Sequence, residues 1–199
     1  MTVSKLERVG STKVLVISDS HGDSGVVRML LERYKHTVQV AVHLGDNARD
    51  LMQFDTDYPA VNFVAVAGNC DFSGSVPKER MLTLGGAVKR RVLLLHGHNH
   101  NVKSTLDRLM YYAQEKEADA CLFGHSHMPF VHVHESVFLR GEEGARGCFF
   151  MNPGSASEPR GGSQAGYGIL TVDDDGNIVG EIKTLRHPGL DPGSPSSCE

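Results

Sequence analysis

The sequence has few cysteines, no marked excess of either charge and no long apolar run, and each shortage removes a class of protein. Its four cysteines, Cys70, Cys121, Cys148 and Cys198, include no C-x-x-C pair. Neither a disulfide framework nor a cysteine-held zinc ribbon is indicated, and a reducing compartment fits best. Twenty Lys and Arg stand against 24 Asp and Glu, for a formal charge of -4. That balance offers no global field for duplex nucleic acid, which is disfavoured as a partner. The basic run Lys89-Arg90-Arg91 directly precedes the apolar stretch Val92 to Leu95 and reads as a solvated strand entrance. No stretch approaches the roughly 18 apolar residues of a membrane helix, and the leader Met1 to Arg8 lacks the apolar centre of a signal peptide. The expectation is a cytoplasmic chain with no membrane association.

What is present is a folding composition: 40% hydrophobic, 22% charged and 22 glycines in 199 residues. Disorder, collagen-like repeats and fibrous helices do not fit it. The length suits a single domain, expected over residues 1–186. From His187 onward Pro, Gly and Ser dominate and apolar residues nearly vanish, so burial cannot offset ordering entropy and 187–199 are expected to form a disordered tail.

The run Lys13 to Ser18 reads as a buried parallel strand, and Val26, Val27, Leu30, Leu31 and Tyr34 recur at helical spacing, predicting a helix from Asp23 to His36. Strands are expected at Val38 to Leu44 and Asn62 to Ala67, with a short helix at Ala48 to Phe54 between them. Met81 to Leu84 and Val88 to Leu95 flank Gly85-Gly86 as a hairpin. A helix from Val102 to Glu117 and a strand from Ala120 to Phe123 follow. The chain then turns to strands at Phe130 to Leu139, Cys148 to Met151, Gly168 to Val172 and Ile178 to Leu185. This order predicts an α/β protein with two mixed sheets and helices outside.

Polar residues collect where these strands end. Asp19 and His21 follow the first strand, Asp46 the second, Asn69 the third, His96 the fifth, and His125 with His127 the strand after the long helix. Successive groups are 25, 23, 27 and 29 residues apart, about one strand-helix-strand unit each, so they should return to one rim of the sheet. In Asp19-x-His21 and His125-x-His127 the period of two in extended chain would point both side chains the same way. Imidazole, carboxylate and amide oxygen without thiolate suit Mn, Fe, Co, Ni or Zn. Seven ligands exceed the needs of one ion. Two ions sharing Asp46 and a bridging hydroxide would use the whole set and fit in-line attack on a phosphate ester.

These residues resemble a known family. Asp19-Ser20-His21, Gly45-Asp46, Gly68-Asn69-Cys70-Asp71, His96-Gly97-His98 and Gly124-His125-Ser126-His127 are similar to the five ordered motifs of the calcineurin-like metallophosphoesterases. Asn152-Pro153-Gly154-Ser155 resembles a further motif of the small YfcE-like phosphodiesterase branch. The resemblance implies a four-layer α/β-β/α sandwich of two mixed sheets flanked by helices, and a phosphodiesterase or phosphomonoesterase activity. It implies one metal on Asp19, His21, Asp46 and His127 and a second on Asp46, Asn69, His96 and His125, with manganese favoured. Many members carry His where this chain has Cys70, and that His assists the leaving group. Its lack implies greater dependence on the metals and substrates whose leaving oxygen is already stable.

Asp46, Asn69 and His98 are the candidate catalytic residues. His98 would touch substrate, orient His96 or face water, with His100 less involved. His132 and His134 alternate with Val131 and Val133 and read as the solvent face of a half-buried strand. His36 and His43 read as structural or exposed, and Arg160 is a candidate phosphate contact. The expected partner is a small phosphate ester. The oligomeric state, a homo-oligomer included, stays open. A retromer subunit resembles this fold yet serves as a protein-binding scaffold, and a nuclease is a further alternative. Retention of His21 argues against the first and the acidic balance against the second.

Overall fold

Thr12–Ile17 (β1) is buried almost throughout because the strand lies between two apolar layers. Alternate residues point to opposite faces of a strand. Val14 and Val16 thus enter the core between two sheets, while Leu15 and Ile17 face helices on the other side. A continuous apolar run, instead of an alternating one, is the consequence. The computed structural model of the chain describes residues 10–72, 74, 76–134 and 147–185. The expected tail at 187–199, and the part of the expected strand 130–139 beyond residue 134, lie outside them.

The remaining elements are α1 (Ser24–Tyr34), β2 (Val40–His43), α2 (Arg49–Met52), β3 (Asn62–Ala65), β4 (Glu79–Leu84) and β5 (Arg90–Leu95), then a 3-10 turn at His98–His100, α3 (Asp107–Glu115), β6 (Ala120–Leu122), β7 (Pro129–His134), β8 (Cys148–Pro153), β9 (Gly166–Val172) and β10 (Ile178–Thr184). One five-stranded sheet has the order β10-β9-β1-β2-β3 and the other β4-β5-β6-β8-β7. Both are mixed. β1, β2 and β3 run parallel with β9 antiparallel to β1. β5, β6 and β8 run parallel with β4 and β7 antiparallel at the edges.

Val40, Val42 and Leu170 from one sheet meet Val92, Leu94, Leu122 and Met151 from the other in the central core. Val27, Leu30 and Leu31 of α1 and Leu51 of α2 cover the outer face of the first sheet. Leu109 and Ala113 of α3 cover Leu93, Cys121 and Phe150 on the outer face of the second. Helix, sheet, sheet and helix make the four layers of an α/β-β/α sandwich. Among the described residues no helix is long and apolar enough to cross a membrane.

Two expectations need correction. The helix predicted from Val102 begins only at Asp107. Asn101 takes a left-handed φ of 57°, and the Thr105 hydroxyl accepts the Asp107 N–H at 3.2 Å, so the chain turns before it can wind. β7 is also not half-buried as its alternation suggested. It is the outermost strand of its sheet, and Val131 and Val133 are exposed along with His132.

Leu94 is fully buried between the sheets. Leu94→Ala is expected to cost about 2–5 kcal/mol, read as a lower urea midpoint at unchanged slope. A loss under about 1 kcal/mol would contradict its place in the central core.

Candidate metal centre

Parallel strands in each sheet end on the same side, and the chain leaves each of them into a short polar turn. Asp19 follows β1, Asp46 follows β2, Asn69 follows β3, His96 follows β5, and His125 and His127 follow β6. Backbone bonds stitch these turns together: Asp19 N–H donates to Gly45 O at 3.1 Å, and Gly124 N–H donates to His96 O at 3.0 Å. A bond across the two sheets closes the rim, from His125 N–H to Asp19 Oδ2 at 3.1 Å.

The described residues bring together two groups of metal-ligand type, Asp19 with His21, Asp46 and His127, and Asp46 with His96 and His125. Asn69 joins the second through its Oδ1, 3.2 Å from His96 Nε2. Asp46 is common to both. The pairs one residue apart do not converge through extended chain. Asp19, His21, Asp46, His125 and His127 all have left-handed φ values, between 46° and 66°. His125 and His127 accordingly fall into different groups. Such backbone costs of order 1 kcal/mol or more per residue and persists only where surrounding bonds over-determine it.

The surrounding bonds also fix which ring nitrogen carries a proton. His96 Nδ1 lies 2.7 Å from Leu44 O and His127 Nδ1 lies 2.6 Å from Glu158 O. A carbonyl can only accept, so each Nδ1 donates and each neutral ring turns its Nε2 lone pair inward. His96 Nε2 then faces Asp46 Oδ1 at 3.4 Å and His125 Nδ1 at 3.2 Å. His127 Nε2 faces Asp19 Oδ1 at 3.2 Å and His21 Nε2 at 3.3 Å. Asp19 is fully buried, and its Oδ1 has no hydrogen-bond donor. Lone pairs crowded around such an atom repel one another unless a cation stands among them, so the donor set fits divalent metal ions.

Without a cation, protons have to do part of that work. Burial pushes the Asp46 carboxyl up, but its contact with His96, aided by the Cys70 N–H at 2.8 Å, outweighs burial and holds it well below the usual range. Burial likewise opposes ionisation of Asp19, and the His127 and His96 contacts overcome it. His127 is raised by its contact with Asp19. His125 is lowered to about 4 by burial and the adjoining His96 charge.

Close approach of the turns depends on two glycines. Gly45 has φ +100°, and a Cβ there would lie 2.6 Å from Gly68 N and 2.8 Å from His96 Nδ1. A Cβ on Gly68 would collide with the Asp46 carboxylate. The Asn152-Pro153-Gly154-Ser155 turn acts from behind. Asn152 Nδ2 donates to Gly124 O at 2.9 Å and Ser126 Oγ at 3.0 Å, holding the His125 to His127 loop. Ser155 Oγ donates to Asp19 O at 2.7 Å and Ser157 Oγ to Ser20 O at 2.8 Å.

Several residues that support the site were assigned no role there from the sequence. His43, read as structural or exposed, is completely buried. Its Nδ1 accepts from Gly45 N–H at 3.2 Å, so Nε2–H donates to Ser20 Oγ at 2.8 Å. Ser20 in turn donates to Asp50 Oδ2 at 2.6 Å, which also accepts Gly22 N–H at 2.8 Å. Asp71 accepts the N–H groups of Ala48 and Gly68, both at 2.8 Å. Ser20 and Asp71 stood inside recognised motifs, whereas Asp50 and His43 stood in none.

Cys70 adjoins the site as expected, with its Sγ 3.3 Å from Asn69 Nδ2 and its thiol pushed up by burial and by Asp46. The His98 ring is 5.4 Å from that of His96 and 6.1 Å from that of His125, centre to centre. His100 instead packs on Tyr112 at 4.7 Å. Arg160 is exposed and reaches His127 through its charge.

A four-layer sandwich with two histidine and carboxylate groups at one rim is the arrangement of a metallophosphoesterase-type fold. Residues 12–175 match the model of the calcineurin-like phosphoesterase superfamily domain, and the chain belongs to that superfamily. It is 37% identical over 167 residues to YsnB of Bacillus subtilis, named a probable metallophosphoesterase, covering 83% of this chain and 88% of that one. It is 29% identical over 184 residues to phosphodiesterase YfcE of Escherichia coli, covering 81% and 88%. Among solved structures, a conserved protein of Streptococcus pneumoniae described as a predicted phosphoesterase matches with a TM-score of 0.67 at 32% identity, covering 90% and 95%. Vps29 of Cryptosporidium parvum shares the fold with a TM-score of 0.65 at 18% identity, covering 89% and 93%.

Burial lowers His43 to about 4, below the usual 6.5. The unfolded chain therefore binds the extra proton first, and stability falls as pH drops from about 6.5 to about 4, by roughly 3 kcal/mol in all. Urea titrations across this window should show a shallower decline for His43→Gln than for the wild type. Equal slopes would mean that His43 is not held neutral by its burial.

Proposed function

We propose that the chain is a metal-dependent phosphodiesterase acting on small phosphate esters. The observation that carries this reading is the convergence of the two ligand groups on a shared Asp46, around a buried Asp19 oxygen that lacks a donor. In this reading Asp19, His21, Asp46 and His127 hold one divalent cation, and Asp46, Asn69, His96 and His125 hold the other. When bound, the pair supplies charge to offset the phosphate oxygens and to lower the pKa of the attacking water. Manganese suits the mixed nitrogen and oxygen donors, which include no thiolate.

The protein's own groups supply orientation. Leu44 O and Glu158 O keep the His96 and His127 rings turned inward, as carbonyl partners of ligating histidines commonly do. His98, beside His96 and His125, is the side chain assigned to the substrate phosphate. Cys70 stands where many superfamily members carry His, so the reaction is assigned to esters whose leaving oxygen needs little help. The likeness to YfcE supports a diester. The scaffold reading has only the shared fold behind it, and His21 in the first ligand group disfavours it.

Hydrolysis of bis-p-nitrophenyl phosphate should require added Mn, stop with chelator and return on metal readdition. Asp46→Asn should lower it by about two orders of magnitude or more while the protein stays folded by circular dichroism. Turnover insensitive to chelator, or wild-type turnover in Asp46→Asn, would overturn the reading.

A further inference from the structure

We infer that Glu158 is a specificity-determining residue, its carboxylate standing at the edge of the centre as a charge filter that disfavours dianionic phosphomonoesters relative to monoanionic diesters. The inference rests on the phosphoesterase reading above. The Glu158 main chain is tied down at both ends of its peptide groups. Its N–H donates to Ser155 Oγ at 2.7 Å, and its carbonyl accepts from His127 Nδ1 at 2.6 Å. The side chain is therefore launched from a fixed point. Its Oε2 lies 3.9 Å from His21 Nε2, with the Glu158 side chain 57% exposed and that of His21 19%.

Glu158 belongs to neither ligand group. Among the described residues it is the acidic side chain outside both groups that comes within ion-pair distance of one of their histidines. It is more exposed than His21 and so stands at the solvent edge of the first ligand group rather than inside the centre. Asp19 and Asp46 offset two of the four positive charges of two divalent cations. The excess would draw in the more highly charged phosphate, and a third carboxylate at the mouth opposes that. Of the nearby cations, Lys103 acts on His125 and Lys78 on His98, beside the second ligand group, while Arg160 acts on His127 in the first. A phosphomonoester carries roughly -1.5 to -2 charges at pH 7 and a diester one, so removing a unit charge several ångströms away should alter their discrimination by about three- to tenfold.

The test compares wild type, Glu158→Gln and Glu158→Asp after loading with Mn, with metal content measured for each. Two quantities are read at pH 8: the ratio of kcat/KM for p-nitrophenyl phosphate to that for bis-p-nitrophenyl phosphate, and the affinity for inorganic phosphate by calorimetry. With equal metal content, Glu158→Gln should raise the ratio by about fivefold and the affinity for dianionic phosphate by more than that, both less at high salt, and Glu158→Asp should stay near wild type. An unchanged ratio and phosphate affinity in Glu158→Gln, or an equal rise in Glu158→Asp, would overturn the filter. Failure of metal-loaded wild type to hydrolyse either ester would instead overturn the phosphoesterase reading, and the phosphate affinities would still decide whether the Glu158 charge acts at the mouth.

Discussion

The arrangement depends on an electrostatic conflict held in place by the fold. Backbone carbonyls take the outer protons of His96 and His127, which leaves lone pairs of imidazole, carboxylate and amide facing one another at 3.2 to 3.4 Å. Around the buried Asp19, Asp46, His96 and His127, such a set is unfavourable by itself. A cation reverses the sign of the same contacts. The preference for a metal is thus written into the tautomers, and the tautomers follow from where Leu44 O and Glu158 O lie.

Holding that conflict requires rigid surroundings. The three apolar layers on either side of and between the sheets fix the strands, and their ends present the turns. Side chains that are not ligands then constrain those turns: His43, Ser20 and Asp50 beneath the first, Asp71 beneath the second and third, and Asn152, Ser155 and Ser157 across the two sheets. This explains how the ligand residues Asp19, His21, Asp46, His125 and His127 keep left-handed backbone. The cost is local, and the bonds that meet it come from elements distant in sequence.

Much of this was legible in the sequence because strand ends in an α/β chain have a characteristic length between them. Asp19, Asp46, Asn69, His96 and His125 recur at that interval, and apolar periodicity located most elements to within a few residues. What was not legible has a common cause. Asp50, Ser157 and His43 act through bonds to backbone or to one another, which leave no period and no spacing. The late start of α3 came from the left-handed Asn101 and the Thr105 hydroxyl, local turn chemistry that overrode an apolar pattern running through Val102. Edge position was equally hidden, so the alternating Val and His of β7 suggested a buried face that its place outside β8 does not provide.

The most direct measurement of the central claim is a calorimetric titration of chelator-treated protein with Mn, paired with thermal denaturation at each ratio of metal to chain. The account predicts saturation near two ions per chain and a rise in Tm that follows occupancy, since ligands bound to the folded state stabilise it. Absence of stoichiometric binding by Mn, Fe, Co, Ni and Zn alike, with Tm unmoved, would contradict it.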